Sequence, residues 1–505
     1  MAIKYGWMEI MELSQFVNTL YELKVISDNQ NAIAVIPTVL VPLTALTVLL
    51  SSIASIIAGW FGLKLKTEGP KRLLEVLLKK RVLLSMLVLN IVFYGLYFAW
   101  GQFKTYPRLL STIEKNHIPE VSSLSYSNEA TRKANYVTEN VASPATLSLN
   151  LETNYKLSAG SFRSPVISGH SLFLANTIGE ILEIDPASMK EKRKFYIGTF
   201  IATRPVIYKN FLYSGEGSHD THHARIYGFD LSTGKLHATY STKGHNEGTP
   251  VATTHKGKDY LVVVGGKDGV HTLSLPDLKL IWKSNEGHID SSVNIENEYI
   301  YAGTGNEKER ARSDKKYAVK YELETGNKIW KTELPLSSWM QPILTESEMV
   351  CYVLGEIYFP SELGFLYCLD KKTGEPKLSI PTTSPLVGKP TLAKINGVEY
   401  IYSADLTGKL IAFNLSTQKI QFMLKPKDVS DYSLSSPTFD PKRNLIFYQS
   451  PENGLYVIDA LTGKVLFNEN IKTASYASPT ILEDDVYTID MSGTLKHFKI
   501  NPSAN

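Results

Sequence analysis

One short phrase recurs eight times along the chain, and it constrains the fold more than any other feature. A small or polar residue precedes Pro; Val, Ile or Thr and a short apolar strand follow. The copies are SPVI at Pro165, RPVI at Pro205, TPVA at Pro250, SSVN at Ser292, QPIL at Pro342, KPTL at Pro390, SPTF at Pro437 and SPTI at Pro479. Successive copies stand 40, 45, 42, 50, 48, 47 and 42 residues apart. A second phrase trails each copy: Gly, an alternating apolar strand, Asp or Asn, a Thr-Gly-Lys turn, and an aromatic. Its clearest forms are RIYGFDLSTGKLHATY (225–240), YAVKYELETGNKIWK (317–331), GFLYCLDKKTGEPKL (364–378) and GLYVIDALTGKVLF (454–467). A period of about 45 residues holding four short strands is the pattern of a β-propeller, whose units bury a core only when stacked side by side. Eight copies predict eight blades and an all-β fold.

The eighth copy of the second phrase, GTLKHFKI (493–500), stops before a fourth strand. The segment TLSLNLETNYKL (146–157) precedes the first blade and has no blade of its own. It is expected to supply the outer strand of blade eight and to close the ring. Closure removes the open strand edges that template aggregation.

Ahead of the repeat the composition changes. Ala32–Leu63 and Val82–Gly101 contain no charged residue. Each is long enough to cross the roughly 30 Å hydrocarbon layer as a helix. Trp60 and Phe61 end the first run, and Tyr94, Tyr97 and Trp100 end the second, as interfacial aromatics do. Between them, Lys64, Lys66, Lys71, Arg72, Lys79, Lys80 and Arg81 mark residues 64–81 as a cytoplasmic loop. The expected organisation is an extracytoplasmic segment over 1–31, two transmembrane helices within 32–101, a stalk over 102–146 and the propeller over 147–505. That places the chain in the inner membrane of a bacterium, with the propeller on the periplasmic side.

The net charge of +3 argues against a nucleic-acid partner. Two cysteines exclude a disulfide-framework domain and a four-cysteine metal site. Cys351 and Cys368 fall in the second and third strands of one expected hairpin, placed symmetrically about its loop, so they can oppose each other. An oxidising compartment permits a disulfide there. Buried free thiols filling core positions are nonetheless the reading favoured from sequence.

The Asp-x-x-Thr-Gly-Lys-x-x-aromatic turn, together with Ser-Pro-Val at this spacing, resembles the repeat of pyrroloquinoline-quinone-type propellers. The resemblance covers residues 147–505. That superfamily includes quinoprotein alcohol dehydrogenases and the propeller lipoprotein of the bacterial outer-membrane barrel-assembly machinery. It implies an eight-bladed ring and leaves the function open. Quinone-binding members carry an adjacent Cys-Cys pair, a Trp floor and a calcium site with a catalytic Asp. This chain has no adjacent cysteines and no clear calcium triad, so the quinone is not expected. It also has no Cys before residue 351 to take the lipid of the assembly protein, and the two apolar runs stand in its place.

Propellers bind ligands mostly on one face, formed by the loops from strand four to the next strand one and from strand two to strand three. Blade two carries GEGSHDTHHAR in its strand two–three loop, with Glu216, His219, Asp220, His222 and His223. The loop leading into blade three carries His245 and Glu247, and the loop leading into blade four carries His288 and Asp290. Imidazoles and carboxylates converging there suit a transition metal, with His219, His245 and His288 as the expected ligands. They equally suit acid–base work, and polar loop residues facing solvent are the plain alternative. Arg163 and Arg204 lie in lead-in loops, where they can clamp an anionic ligand or form rim ion pairs. The apolar loop tip Ile357, Tyr358, Phe359 and Pro360 suggests a protein or lipid contact, or packs on itself.

The reading that follows is a membrane-tethered binding or scaffold module for envelope proteins or ligands. The alternative is an envelope oxidoreductase, metal- or quinone-dependent, or a metal-dependent hydrolase, built on the histidines of blades two to four.

Overall fold

The computed structural model describes residues 137–138, 147–197, 200–217, 221–306, 315–357, 363–425, 435–450, 454–469 and 475–502. All of these belong to the compact unit Gly101–Asn505. The two apolar runs, the basic loop, His219, Asp220 and the loop tip 358–360 lie outside them.

Within the described residues the chain forms eight antiparallel sheets of four strands, one of them enlarged by a short fifth strand. Blade one comprises Val166–Ser168, Ser171–Ala175, Glu180–Asp185 and Lys190–Tyr196, and the pattern repeats around the ring. Second strands are covered on both faces by neighbouring blades. Accordingly Ser171–Ala175 and Leu445–Ser450 are buried along their whole length. Outer strands meet solvent on one side, and Lys235–Ser241 alternates between exposed and half-buried.

Both sequence phrases acquire a physical meaning. The residue after the blade proline reaches across to the next blade. Thr391 Oγ1 donates to the Pro437 carbonyl at 2.6 Å and Thr438 Oγ1 to Pro479 at 2.7 Å; in blade four, which has Ser292 in place of the proline, Asn294 Nδ2, two residues on, donates to the Pro342 carbonyl at 3.0 Å. The aromatic that ends the second phrase packs on the turn glycine of the following blade. Gly326 and Gly374 hold positive φ values of 73° and 76°. A Cβ at either glycine would come within 2.5 Å of Trp282 and 2.6 Å of Trp330, respectively. Each indole N–H then donates to that turn, Trp282 to the Leu323 carbonyl at 2.8 Å and Trp330 to the Lys371 carbonyl at 3.1 Å. The repeat therefore encodes contacts between blades as well as within them.

The ring closes as its sequence predicts. Leu147–Lys156 pairs antiparallel with Thr494–Pro502, from Leu147 opposite Pro502 to Lys156 opposite Thr494. It becomes the outer strand of blade eight. Leu147 and Leu149 join Phe447, Val457, Phe498 and Ile500 in one buried cluster between blades seven and eight. The fifth strand has no sequence signal. Val137–Thr138, inside the segment read as stalk, pairs in parallel with Lys394 and Ile395 on the first strand of blade six.

In blade five Cys351 stands directly opposite Cys368 in the register of strands two and three. The two are joined as a disulfide. Both side chains are fully buried, so the bond lies inside the core between blades five and six.

Candidate functional site

Two lead-in loops bring the site together. His245 belongs to the loop between Lys235–Ser241 and Val251–His255, and His288 and Asp290 to the loop between Lys279–Ser284 and Asn294–Glu296. Backbone bonds fix both loops: the Ile289 N–H donates to the Gly266 carbonyl at 3.1 Å, the Gly305 N–H to the His288 carbonyl at 2.9 Å, and the Asn246 N–H to the Glu216 carbonyl at 3.3 Å. Gly266, at a φ of 54°, lies directly under the His245 ring. A Cβ there would come within 2.8 Å of Cε1, so the close approach needs glycine.

His245 Nε2 donates to Asp290 Oδ1 at 2.7 Å. His288 Nε2 lies 2.7 Å from the same oxygen. The two imidazole centroids are 5.2 Å apart, with planes inclined by 51°. His245 and His288 expose only 4% and 8% of their surface. One donor atom from each of the three residues falls within 4.8 Å of the others, the one such grouping of three found among the described residues. Burial would push the Asp290 carboxyl up. The hydrogen bonds and charges of His245 and His288 outweigh that effect and hold it well below the usual carboxylate range.

The other expected site residues that the structure describes fall outside this grouping of three. His222 and His223 are exposed. Glu216 is buried and occupied locally: it accepts from the Arg225 Nε at 2.9 Å and from the Tyr227 hydroxyl at 2.9 Å. Glu247 is half-buried, and its backbone carbonyl accepts from Arg163 Nη2 at 3.3 Å. Arg163 Nε donates to the Ala202 carbonyl. Arg204 is buried and donates to the carbonyls of Ser164 at 3.2 Å and Pro165 at 2.5 Å. As placed, the two guanidinium groups brace neighbouring lead-in loops.

Two features of this face have no counterpart in the sequence reading. The first is the cradle glycine, Gly266. The second is an aromatic cluster shared by three lead-in loops. The Phe162 ring stacks on Tyr476 at 5.4 Å and meets Phe200 edge-on at 5.4 Å. All three rings are half-buried. Phe162 and Tyr476 each stand three residues before the blade proline, which is the signal that could have found them.

Eight stacked blades, an outer strand borrowed from the start of the repeat, and the aromatic-on-glycine turn define an eight-bladed β-propeller. Residues 314–504 match the family described as outer membrane protein assembly factor BamB. No curated protein matches the chain in sequence. Among solved structures, BamB from Moraxella catarrhalis is 13% identical with a TM-score of 0.53, covering 70% of this chain and 100% of its own. Quinohemoprotein alcohol dehydrogenase from Comamonas testosteroni is 14% identical with a TM-score of 0.53, covering 71% of this chain and 77% of its own. The computationally designed protein Ika8 is 12% identical with a TM-score of 0.53, covering 69% of this chain and 98% of its own. At these identities the likeness is one of fold. Cys351 and Cys368, the two cysteines of the chain, pair across a buried hairpin of blade five, so they do not form the adjacent Cys-Cys pair expected of quinone-binding members.

Proposed function

We propose that this chain is a binding module of the bacterial cell envelope: a periplasmic propeller, held at the inner membrane by two apolar segments, that docks a protein partner on its loop face. The observation that carries this reading is the cluster of Phe162, Phe200 and Tyr476, drawn from the lead-in loops of blades one, two and eight. Aromatic rings held rigidly at a surface bury large area at low entropy cost, and such groups dominate binding energy at protein interfaces. The match of residues 314–504 to a family described as an outer membrane assembly factor supports an envelope setting. The two charge-free runs Ala32–Leu63 and Val82–Gly101, with the basic segment between them, support the tether and its orientation.

The test is a double substitution, Phe162→Ala with Tyr476→Ala, in the full chain. Partner co-purification after in-cell crosslinking should fall at least tenfold, the equivalent of about 1.4 kcal/mol, with the secondary structure by circular dichroism unchanged. Full retention of the crosslinked partner would overturn the docking assignment.

A further inference from the structure

We infer that His245, His288 and Asp290 form a binding site for one divalent transition-metal ion at the junction of blades three and four. The donor set itself selects the class of ion. Two imidazole nitrogens and one carboxylate oxygen suit zinc and its first-row neighbours, whereas calcium and magnesium favour all-oxygen shells.

The geometry is close to what such an ion needs. Bound at about 2.0–2.2 Å, neighbouring ligand atoms around a tetrahedral ion stand roughly 3.3 Å apart. The carboxylate oxygen already lies 2.7 Å from each Nε2. All three donor atoms lie within 4.8 Å of one another, so the tetrahedral spacing lies between the present contacts and that span. Three protein ligands leave at least one coordination position for water or for a group brought by a partner.

The site is also built in advance of any ion. Its ligands come from two lead-in loops pinned by the Ile289–Gly266 and Gly305–His288 backbone bonds. The His245 ring rests against Gly266, where no other residue leaves room for it. A plain surface network of polar loop residues would need neither this burial nor this glycine. The inference stands apart from the docking surface of blades eight, one and two, and either can fail alone.

The probe is Zn2+ alone, added to the full chain after chelator treatment and dialysis. Wild type should bind one equivalent. His245→Gln and Asp290→Asn should each weaken binding at least about 100-fold, since even the outer partners of metal ligands are worth about 10–100-fold. His288→Cys guards against a variant that merely fails to fold, because it replaces one ligand with another. It should retain Zn2+ and, with Co2+ in its place, add a sulfur-to-metal charge-transfer band absent from wild type. The inference is overturned by no Zn2+ uptake, by uptake that His245→Gln and Asp290→Asn leave unchanged, or by a Co2+ spectrum that His288→Cys leaves unaltered.

Discussion

The Thr480 hydroxyl donates to the carbonyl of Pro165 at 2.8 Å, joining residues 315 positions apart in sequence. It is the same bond that Thr391 makes to Pro437 and Thr438 to Pro479, here made between the last blade and the first. The backbone N–H of Ser478 donates to Ser164 Oγ at 2.9 Å beside it. The propeller thus seals its inner ring with an ordinary member of a repeated set. Thr480→Val keeps the shape and leaves the Pro165 carbonyl without this donor. It should lower stability by about 1 kcal/mol, read as a fall in denaturant midpoint at unchanged slope.

The outer closure carries more. Deleting 147–156 strips the partner strand from Thr494–Pro502 and uncovers the cluster containing Phe498 and Ile500. Loss of buried Leu147 and Leu149 alone costs about 2–5 kcal/mol each, and the exposed edge invites association. The deletion should melt well below wild type and aggregate on heating. An equal melting temperature would show that the ring does not depend on this strand.

The Cys351–Cys368 bond spans a sequence separation of 17 residues inside blade five. A cross-link closing a loop of that size contributes about 3 kcal/mol, chiefly by restricting the unfolded chain. Reductant should therefore lower the denaturation midpoint of wild type. The double variant Cys351→Ala, Cys368→Ala should start lower and show no response to reductant.

Asp405 offers a pH signature. It is fully buried at the end of the second strand of blade six, and burial raises its pKa despite hydrogen bonds from Thr407 and Lys409. With the folded value above the unfolded one, the protonated acid is favoured in the native state. Its stabilisation is complete below the ordinary Asp value of about 3.9 and is lost as pH rises through the raised folded value. Asp405→Asn keeps an oxygen acceptor for Thr407 and Lys409 and does not ionise. Its stability relative to wild type should climb across that interval and then level off. A difference independent of pH would contradict the burial argument.

Much of the fold was legible because the signals are periodic. The proline phrase recurs eight times and, like the aromatic turn, reports contacts repeated between blades, so degenerate copies such as SSVN at Ser292 could be placed by spacing. The closing strand was legible as a strand without a blade. The site was legible only in part. His245, His288 and Asp290 could be assigned to one face, but which groups meet depends on how adjacent blades diverge. The matching Gly-His-x-acid phrases do not behave alike: Asp290 serves the histidines of both loops, while the Glu247 backbone takes up Arg163. The arginine braces were hidden for a similar reason, since a backbone carbonyl has no sequence signature. The parallel pairing of Val137–Thr138 with blade six rests on two residues and leaves no periodic trace.

The central claim is that the loop face docks a protein partner. A photo-activatable crosslinking residue placed in the full chain at Ile178 or Lys267, exposed in strand two–three turns, samples that face in the native host. The same residue at His170 or Lys372, exposed in turns at the other end of the blades, samples the opposite face. Irradiation should give a discrete adduct to an envelope protein from the first pair alone, and Phe162→Ala with Tyr476→Ala should abolish it. Adducts of equal yield from both faces, or from His170 and Lys372 only, would contradict the account.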